Sequence, residues 1–349
     1  MNRNSRLTAV CILLLVCAVP FTALAANSDR VGTAGAQELL IPVGARGVGL
    51  GLSGSLFISG VDALYWNPAG LCRMTNSVQA MFSSMNYIAD INVAYGAIAV
   101  SAGDFGTLGF SLKSIAFGDI PVTTVDFPDG TGNVYSPTFL TLGGSYSKAL
   151  TDRISVGLTA NLISEKILQM SATGLTFDVG IQYRDLAVKG LELAIAIKHI
   201  GPNMTFDGSN AYVQASALGT INGLEPYKIE TASFEMPSDL EIGIGYSPKL
   251  DEVNTLSFGG TFINNNYLQD EYSLGAEYAF KGTFYVRGGY TFSPQTTKDA
   301  TGARTYIYDW SAGAGVRYTV GGVDLAFDYG FRNTKYFTGN NVFTLMVGF

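Results

Sequence analysis

Apolar and polar residues alternate one by one in segment after segment, and no stretch beyond the N-terminus supplies about 18 consecutive apolar residues for a spanning helix. In Trp310–Tyr318, the residues Trp310, Ala312, Ala314, Val316 and Tyr318 share one face. Ser311, Gly313, Gly315 and Arg317 share the other. Val323, Leu325, Phe327, Tyr329 and Phe331 alternate in the same way with Asp324, Ala326, Asp328, Gly330 and Arg332. Leu240–Ser247 and Leu175–Arg184 repeat the pattern. Period two over roughly 9–11 residues predicts tilted strands long enough to cross a bilayer. About fourteen such strands are expected, centred near residues 81, 96, 110, 143, 158, 178, 195, 243, 258, 276, 287, 313, 327 and 345.

A soluble β-sandwich would alternate too. Two features favour a barrel in lipid. The apolar faces end in aromatics, such as Tyr272 with Tyr278 and Phe280, or Tyr308 and Trp310 with Tyr318, and amphipathic rings favour the headgroup level. The polar faces carry Gly, Ser and charges of both signs, as a lumen tolerates. Charged residues make up only 14% of the chain, against 42 Gly, 19 Tyr and 21 Phe. Links after even-numbered strands are short (Thr151–Arg153, Lys281–Gly282, Gly321–Gly322), and most of those after odd-numbered strands are long (117–137, 201–237, 293–304, 333–340). That asymmetry is the outer-membrane pattern. The fold class read from the sequence is all-β: a transmembrane antiparallel barrel with a non-alternating segment before it.

The N-terminus is consistent with export. Arg3 and Arg6 precede the uncharged run Leu7–Val19, and Ala23-Leu24-Ala25 offers small residues for cleavage after Ala25. Loss of the two arginines takes the formal net charge from −7 to about −9, which argues against nucleic acid as a partner. Cys11 and Cys17 leave with the signal, so Cys72 has no intramolecular disulfide partner. The expected organisation is a signal peptide (1–25), an N-terminal plug segment (26–76) and a transmembrane β-barrel (77–349). Cell outer membrane is the expected location, with outer-membrane lipid as surroundings. Terminal Phe349, sharing a face with Val347, Leu345 and Phe343, reads as the signal for the barrel assembly machinery.

Residues 26–76 do not alternate. They are Gly-rich and predict loops and short helices inside the barrel, with Asn67-Pro68 as a helix start. Gly44-Ala45-Arg46, a Gly-rich stretch, Asp62-Ala63 and Tyr65-Trp66-Asn67-Pro68-Ala69-Gly70 together resemble the N-terminal region of the FadL-like outer-membrane proteins, the PorV/PorQ branch most closely. The resemblance implies a fourteen-stranded barrel whose N-terminal segment plugs the lumen. It implies passive transport of hydrophobic small molecules, such as long-chain fatty acids, and no enzymatic activity. The alternative it carries is a PorV-type component or shuttle of a type IX-like secretion system, with secretion-system proteins as partners. Arg46, Asp62, Trp66, Asn67, Pro68 and Gly70 are the plug-motif residues. An arginine fork grips a carboxylate at two points, so Arg46 is expected to dock on luminal carboxylates. Asp62 is expected to dock on Arg287 or Arg317.

By parity the luminal charges include Asp178, Glu241, Glu277, Arg287, Arg317, Asp324 and Asp328. The sole histidine, His199, falls on the lipid-facing parity near the outer rim and reads as interfacial rather than catalytic. Gly49-Leu50-Gly51-Leu52-Ser53-Gly54 matches a dinucleotide fingerprint without its strand–helix context, so it reads as plug backbone passing close to the wall. No cofactor motif is present. Asp119, Asp126 and Asp129 fit no known calcium-ligand spacing and read as a solvated loop. The apolar residues of loop 201–237, Met204 and Phe206 among them, need cover: either they fold over the barrel mouth or they receive a hydrophobic ligand or partner.

Overall fold

The structure, a computed structural model, describes residues 30–216, 224–294 and 305–349; the signal-peptide segment lies outside them. Fourteen long strands follow one another antiparallel: β1 (Val78–Asn86), β2 (Asn92–Ser101), β3 (Thr107–Ala116), β4 (Thr138–Ala149), β5 (Ile154–Ile167), β6 (Met170–Arg184) and β7 (Leu191–Ile200). The second half comprises β8 (Asp239–Tyr246), β9 (Asn254–Asn265), β10 (Glu271–Phe280), β11 (Phe284–Phe292), β12 (Tyr308–Val320), β13 (Val323–Thr334) and β14 (Asn340–Gly348). Each expected strand centre falls inside one of them. β1 pairs with β14, Phe82 opposite Leu345, and the sheet closes on itself. Closure is what lipid demands, because hydrocarbon offers no partner to an open strand edge.

The period-two reading gives the correct face for most strands. On β13, Leu325 and Phe327 point outward, whereas Ala326 and Asp328 are buried inside. On β14, Phe343, Leu345 and Phe349 point outward while Val342 and Thr344 are buried. Two positions depart from parity. A register shift in β12 lies between Tyr308 and Ser311 and turns Tyr308 inward, where its hydroxyl meets that of Tyr87 at 2.9 Å. A bulge between β6 and β7 sets Lys198 and His199 together opposite Asp178. His199 adopts φ 60° and donates its backbone N–H to Asp178 Oδ1 at 2.7 Å. Its side chain therefore enters the lumen, 4% exposed, instead of facing lipid. A bulge adds one residue and reverses the alternation locally, which strict parity cannot anticipate.

The N-terminal segment threads the lumen. At one end Arg30 bonds Glu235, which precedes β8, and its guanidinium lies 4.5 Å from the Tyr267 ring centroid between β9 and β10. At the other end Arg73 donates to Arg153 O in the short β4–β5 turn at 2.9 Å. The segment thus runs from the long-loop mouth to the short-turn mouth and there enters β1. Between them it forms short helices: α1 (Ala45–Gly49), α2 (Gly54–Phe57) and α3 (Ala63–Trp66), then a 3-10 turn over Pro68–Arg73.

Glycines on the inner wall make room for it. A Cβ on Gly289 of β11 would lie 2.2 Å from the Gly51 nitrogen, and one on Gly157 of β5 would lie 2.2 Å from the Pro68 carbonyl carbon. On β13, a Cβ at Gly330 would sit 2.5 Å from Ala45 O. Gly51 itself, at φ 65°, belongs to the fingerprint-like stretch, which passes against the wall with no nucleotide-binding context. Plug and wall meet backbone to backbone. A Gly289→Val substitution is expected to destabilise the plugged barrel by about 1–3 kcal/mol in urea unfolding, as overpacking does. Gly144→Val, where a Cβ meets nothing within 4 Å, is expected to stay within about 0.5 kcal/mol of wild type. Equal stability of the two variants would contradict the close contact.

Candidate functional site

The motif residues of the plug hold its shape. Trp66 donates Nε1–H to Val43 O at 3.0 Å and stands edge-on to Tyr65, with ring centroids 5.2 Å apart. Asn67 Oδ1 accepts the Ala69 N–H at 3.0 Å, with Pro68 as first residue of the turn. Its Nδ2 reaches Ile195 O of β7 at 3.4 Å, tying plug to wall. Gly70 is required by space: a Cβ there would lie 2.6 Å from Ile58 O.

Below α1 a chain of charges pins the plug. Arg46 forks onto Glu277 of β10, Nε to Oε2 at 3.1 Å and Nη2 to Oε1 at 2.8 Å. Arg287 of β11 donates to the same Glu277 Oε2 at 2.5 Å and to Asp328 of β13 at 2.6 Å. Burial works against the charge on Arg46, but the Glu277 carboxylate outweighs it and holds the guanidinium above its ordinary value. Asp62 takes no part in this chain, contrary to the sequence expectation. It makes no ion pair among the described residues, because Arg287 is already committed and Arg317 lies over Tyr285, 4.6 Å from the ring centroid. Asp62 is instead buried against Gly44 with Oδ1 unpartnered, and burial pushes its carboxyl up to about 7. Of the remaining luminal charges, Asp178 holds the β7 bulge and accepts from Asn161 at 2.8 Å. Asp324 sits at the short-turn rim, where Asn76 donates to it at 2.7 Å.

Among the described residues, two sizeable cavities lie on either side of the plug. The lower, about 340 Å³, opens toward the short turns and is polar, bounded by Arg46, Asp62, Arg73, Tyr285 and Arg317. The upper, about 410 Å³, lies under the long loops. Its floor is plug (Leu40, Ile41, Leu52, Tyr65, Trp66), and Phe117, Phe139 and Ile263 carry the apolar lining onto the walls. Polar groups gather on the β7–β8 side, where Lys198 Nζ lies 2.6 Å from Glu241 Oε1 and His199 Nδ1 lies 3.2 Å from Asp239 Oδ2. Lys113 of β3 donates to the backbone carbonyls of Glu38 and Ile41, a plug anchor with no sequence motif to mark it. Glu38, buried beside Glu165 of β5, is raised to about 8, first by desolvation and then by that neighbouring carboxylate.

The described parts of loop 201–237 fold back onto the plug. Met204, Met236, Phe206 and Phe234 pack on Ala36 and Leu39 of the plug, while Tyr212, Val213 and Leu224 stay exposed. Leu218 and Ile221 lie outside the described residues. Among the described residues no group of His, Cys, Asp or Glu is arranged to hold a metal ion; in the β3–β4 loop Asp119 accepts from Ser136.

Two measurements follow from the pinning. Arg46→Ala removes one arm of a buried pair whose other arm, Arg287, remains, so a loss of roughly 3 kcal/mol in plug docking is expected. Planar-bilayer conductance should rise above wild type; an equally closed channel contradicts the pin. Glu38 and Asp62 both titrate above the normal carboxylate range, so docking is strongest when they hold their protons and weakens as pH rises through about 7 and 8. Conductance is expected to grow from pH 6 to pH 9 and to lose that dependence in Glu38→Gln/Asp62→Asn; growth toward acid pH would contradict it.

No family model matches this sequence, and no curated protein matches it either. Solved structures do match, over nearly their whole length. The toluene transporter TbuX of Ralstonia pickettii superposes with TM-score 0.55 at 12% identity, over 88% of this chain and 98% of that one. The toluene transporter TodX of Pseudomonas putida gives 0.52 at 13% identity, over 87% and 96%. The CymD monoaromatic hydrocarbon channel gives 0.51 at 15% identity, over 88% and 97%. At these identities the likeness is one of fold: a closed fourteen-stranded antiparallel barrel.

Proposed function

We propose that the protein resides in the outer membrane and lets hydrophobic small molecules cross it passively, with the long loops outside and the short turns in the periplasm. The observation that carries this reading is the upper cavity. An aromatic and aliphatic chamber of about 410 Å³ lies inside the barrel, floored by the plug and edged by Phe117 and Leu268. A lumen serving only ions or water has no use for buried Trp, Phe and Ile at its centre, whereas ligand sites of this size are lined in this way. Movement of the plug connects the chamber to the polar cavity beneath. The matched barrels, a toluene transporter and a monoaromatic hydrocarbon channel among them, support the same reading. The membership in the PorV/PorQ branch, and with it a role in protein secretion, has the N-terminal motif alone behind it. Recognition by the assembly machinery rests on terminal Phe349 and its apolar row, the division at residue 25 on the export signal, and that at 76 on the onset of alternation.

Uptake decides the matter. Cells lacking their own hydrocarbon channels and expressing this protein are expected to take up radiolabelled toluene several-fold faster than vector controls. Filling the chamber floor with Leu52→Trp should abolish the gain. Uptake indistinguishable from the control, with the folded barrel present in the outer membrane, would overturn the reading.

A further inference from the structure

The upper cavity is apolar in its body and acidic at one side. Lys198 is committed twice, to Glu241 Oε1 and to the face of Tyr65, whose ring centroid lies 5.0 Å from Nζ. Across the chamber, Arg332 stacks with Cζ 3.4 Å from the centroid of the Tyr308 ring, and the charge of the Glu271 carboxylate reaches it without forming an ion pair. The carboxylates are not all matched. Asp239 Oδ1 and Glu241 Oε2 are both buried without a hydrogen-bond partner, on residues 6% and 4% exposed that line the cavity. Four acidic side chains (Glu38, Asp239, Glu241, Glu271) face two permanent cations (Lys198, Arg332), and His199 adds a charge only when protonated.

A buried acceptor left unpaired is costly, and a ligand that donates to it removes the cost. A ligand carboxylate finds the opposite situation. The unpartnered donors lie across the chamber, the Nε and Nη2 groups of Arg332, and the charge of Glu271 already acts on them. Aromatic faces also favour a cation over an anion, and Tyr65, Trp66 and Phe139 all line the chamber.

We propose that the upper cavity takes a hydrophobic amine, its ammonium between Asp239 and Glu241 and its apolar body over the aromatic floor. This deepens the transport reading and rests on it. Fatty acids, with a carboxylate head, are then poor ligands.

The test uses three probes that share one ring: phenethylamine, ethylbenzene and phenylacetate. The detergent-solubilised protein carries Trp310→Phe, so the floor residue Trp66 reports binding by fluorescence. Phenethylamine is expected to bind about tenfold more tightly than ethylbenzene, with phenylacetate weakest. Asp239→Asn and Glu241→Gln should each erase the amine preference while ethylbenzene binding persists. Phenylacetate binding as tightly as phenethylamine overturns the proposal whether or not the variants fold. So does an amine preference that survives both substitutions. Ethylbenzene binding with no amine preference sinks this proposal and leaves the transport reading standing; absence of binding by all three sinks both.

Discussion

Backbone amides in hydrocarbon have only each other to bond, and everything else in this protein follows from that requirement. Fourteen strands satisfy it by pairing the first with the last, Phe82 against Leu345. The outer surface can then be apolar without interruption, and the inner surface is released to carry charges. A barrel of this girth leaves a lumen too wide for its own side chains to fill. The N-terminal segment fills it, and glycines in the wall at 157, 289 and 330 let that segment lie on the sheet without intervening side chains.

A plug held by contact alone would be a packing element. Here it is also held by charge. Arg46, Glu277, Arg287 and Asp328 form a chain across three strands, with Arg287 fully enclosed. Pairs of this kind contribute little net stability when complete and cost several kcal/mol when broken, so they fix one arrangement more than they deepen it. The buried carboxyls of Asp62 and Glu38 act in the opposite sense, because desolvation raises both above the usual carboxylate range. The same segment supplies the floor of the upper chamber through Tyr65 and Trp66. Binding of a ligand and seating of the plug therefore act on one piece of chain.

Much of the barrel was legible because lipid imposes a strict code. Apolar residues face out at every second position, and Leu325, Phe327, Phe343 and Leu345 obey it. What the alternation could not reveal were its interruptions. The bulge at Lys198 and His199 and the register shift before Ser311 each insert a residue, and each turns a side chain, His199 and Tyr308, into the chamber. Pairing of individual charges was also out of reach. Arg46 also feels the charges of Asp328 and Asp62, and the choice of Glu277 depends on the register of β10 against α1. Asp62 pairs with neither expected arginine: Arg287 is turned to Glu277 and Asp328 of the wall, and Arg317 lies over the Tyr285 ring. Lys113 bonds only to plug carbonyls, a contact to which no side-chain pattern points.

The central claim is that apolar rows face lipid while the plug occupies the interior, and the two tryptophans of the chain report on both. Trp310 projects outward, 47% exposed, and Trp66 is enclosed on the chamber floor at 3%. Quenching by brominated acyl chains in reconstituted vesicles separates them directly. With Trp66→Phe, the remaining Trp310 should lose most of its fluorescence; with Trp310→Phe, the remaining Trp66 should keep its own. Strong quenching of Trp66, or a Trp310 indifferent to brominated lipid, would contradict the account.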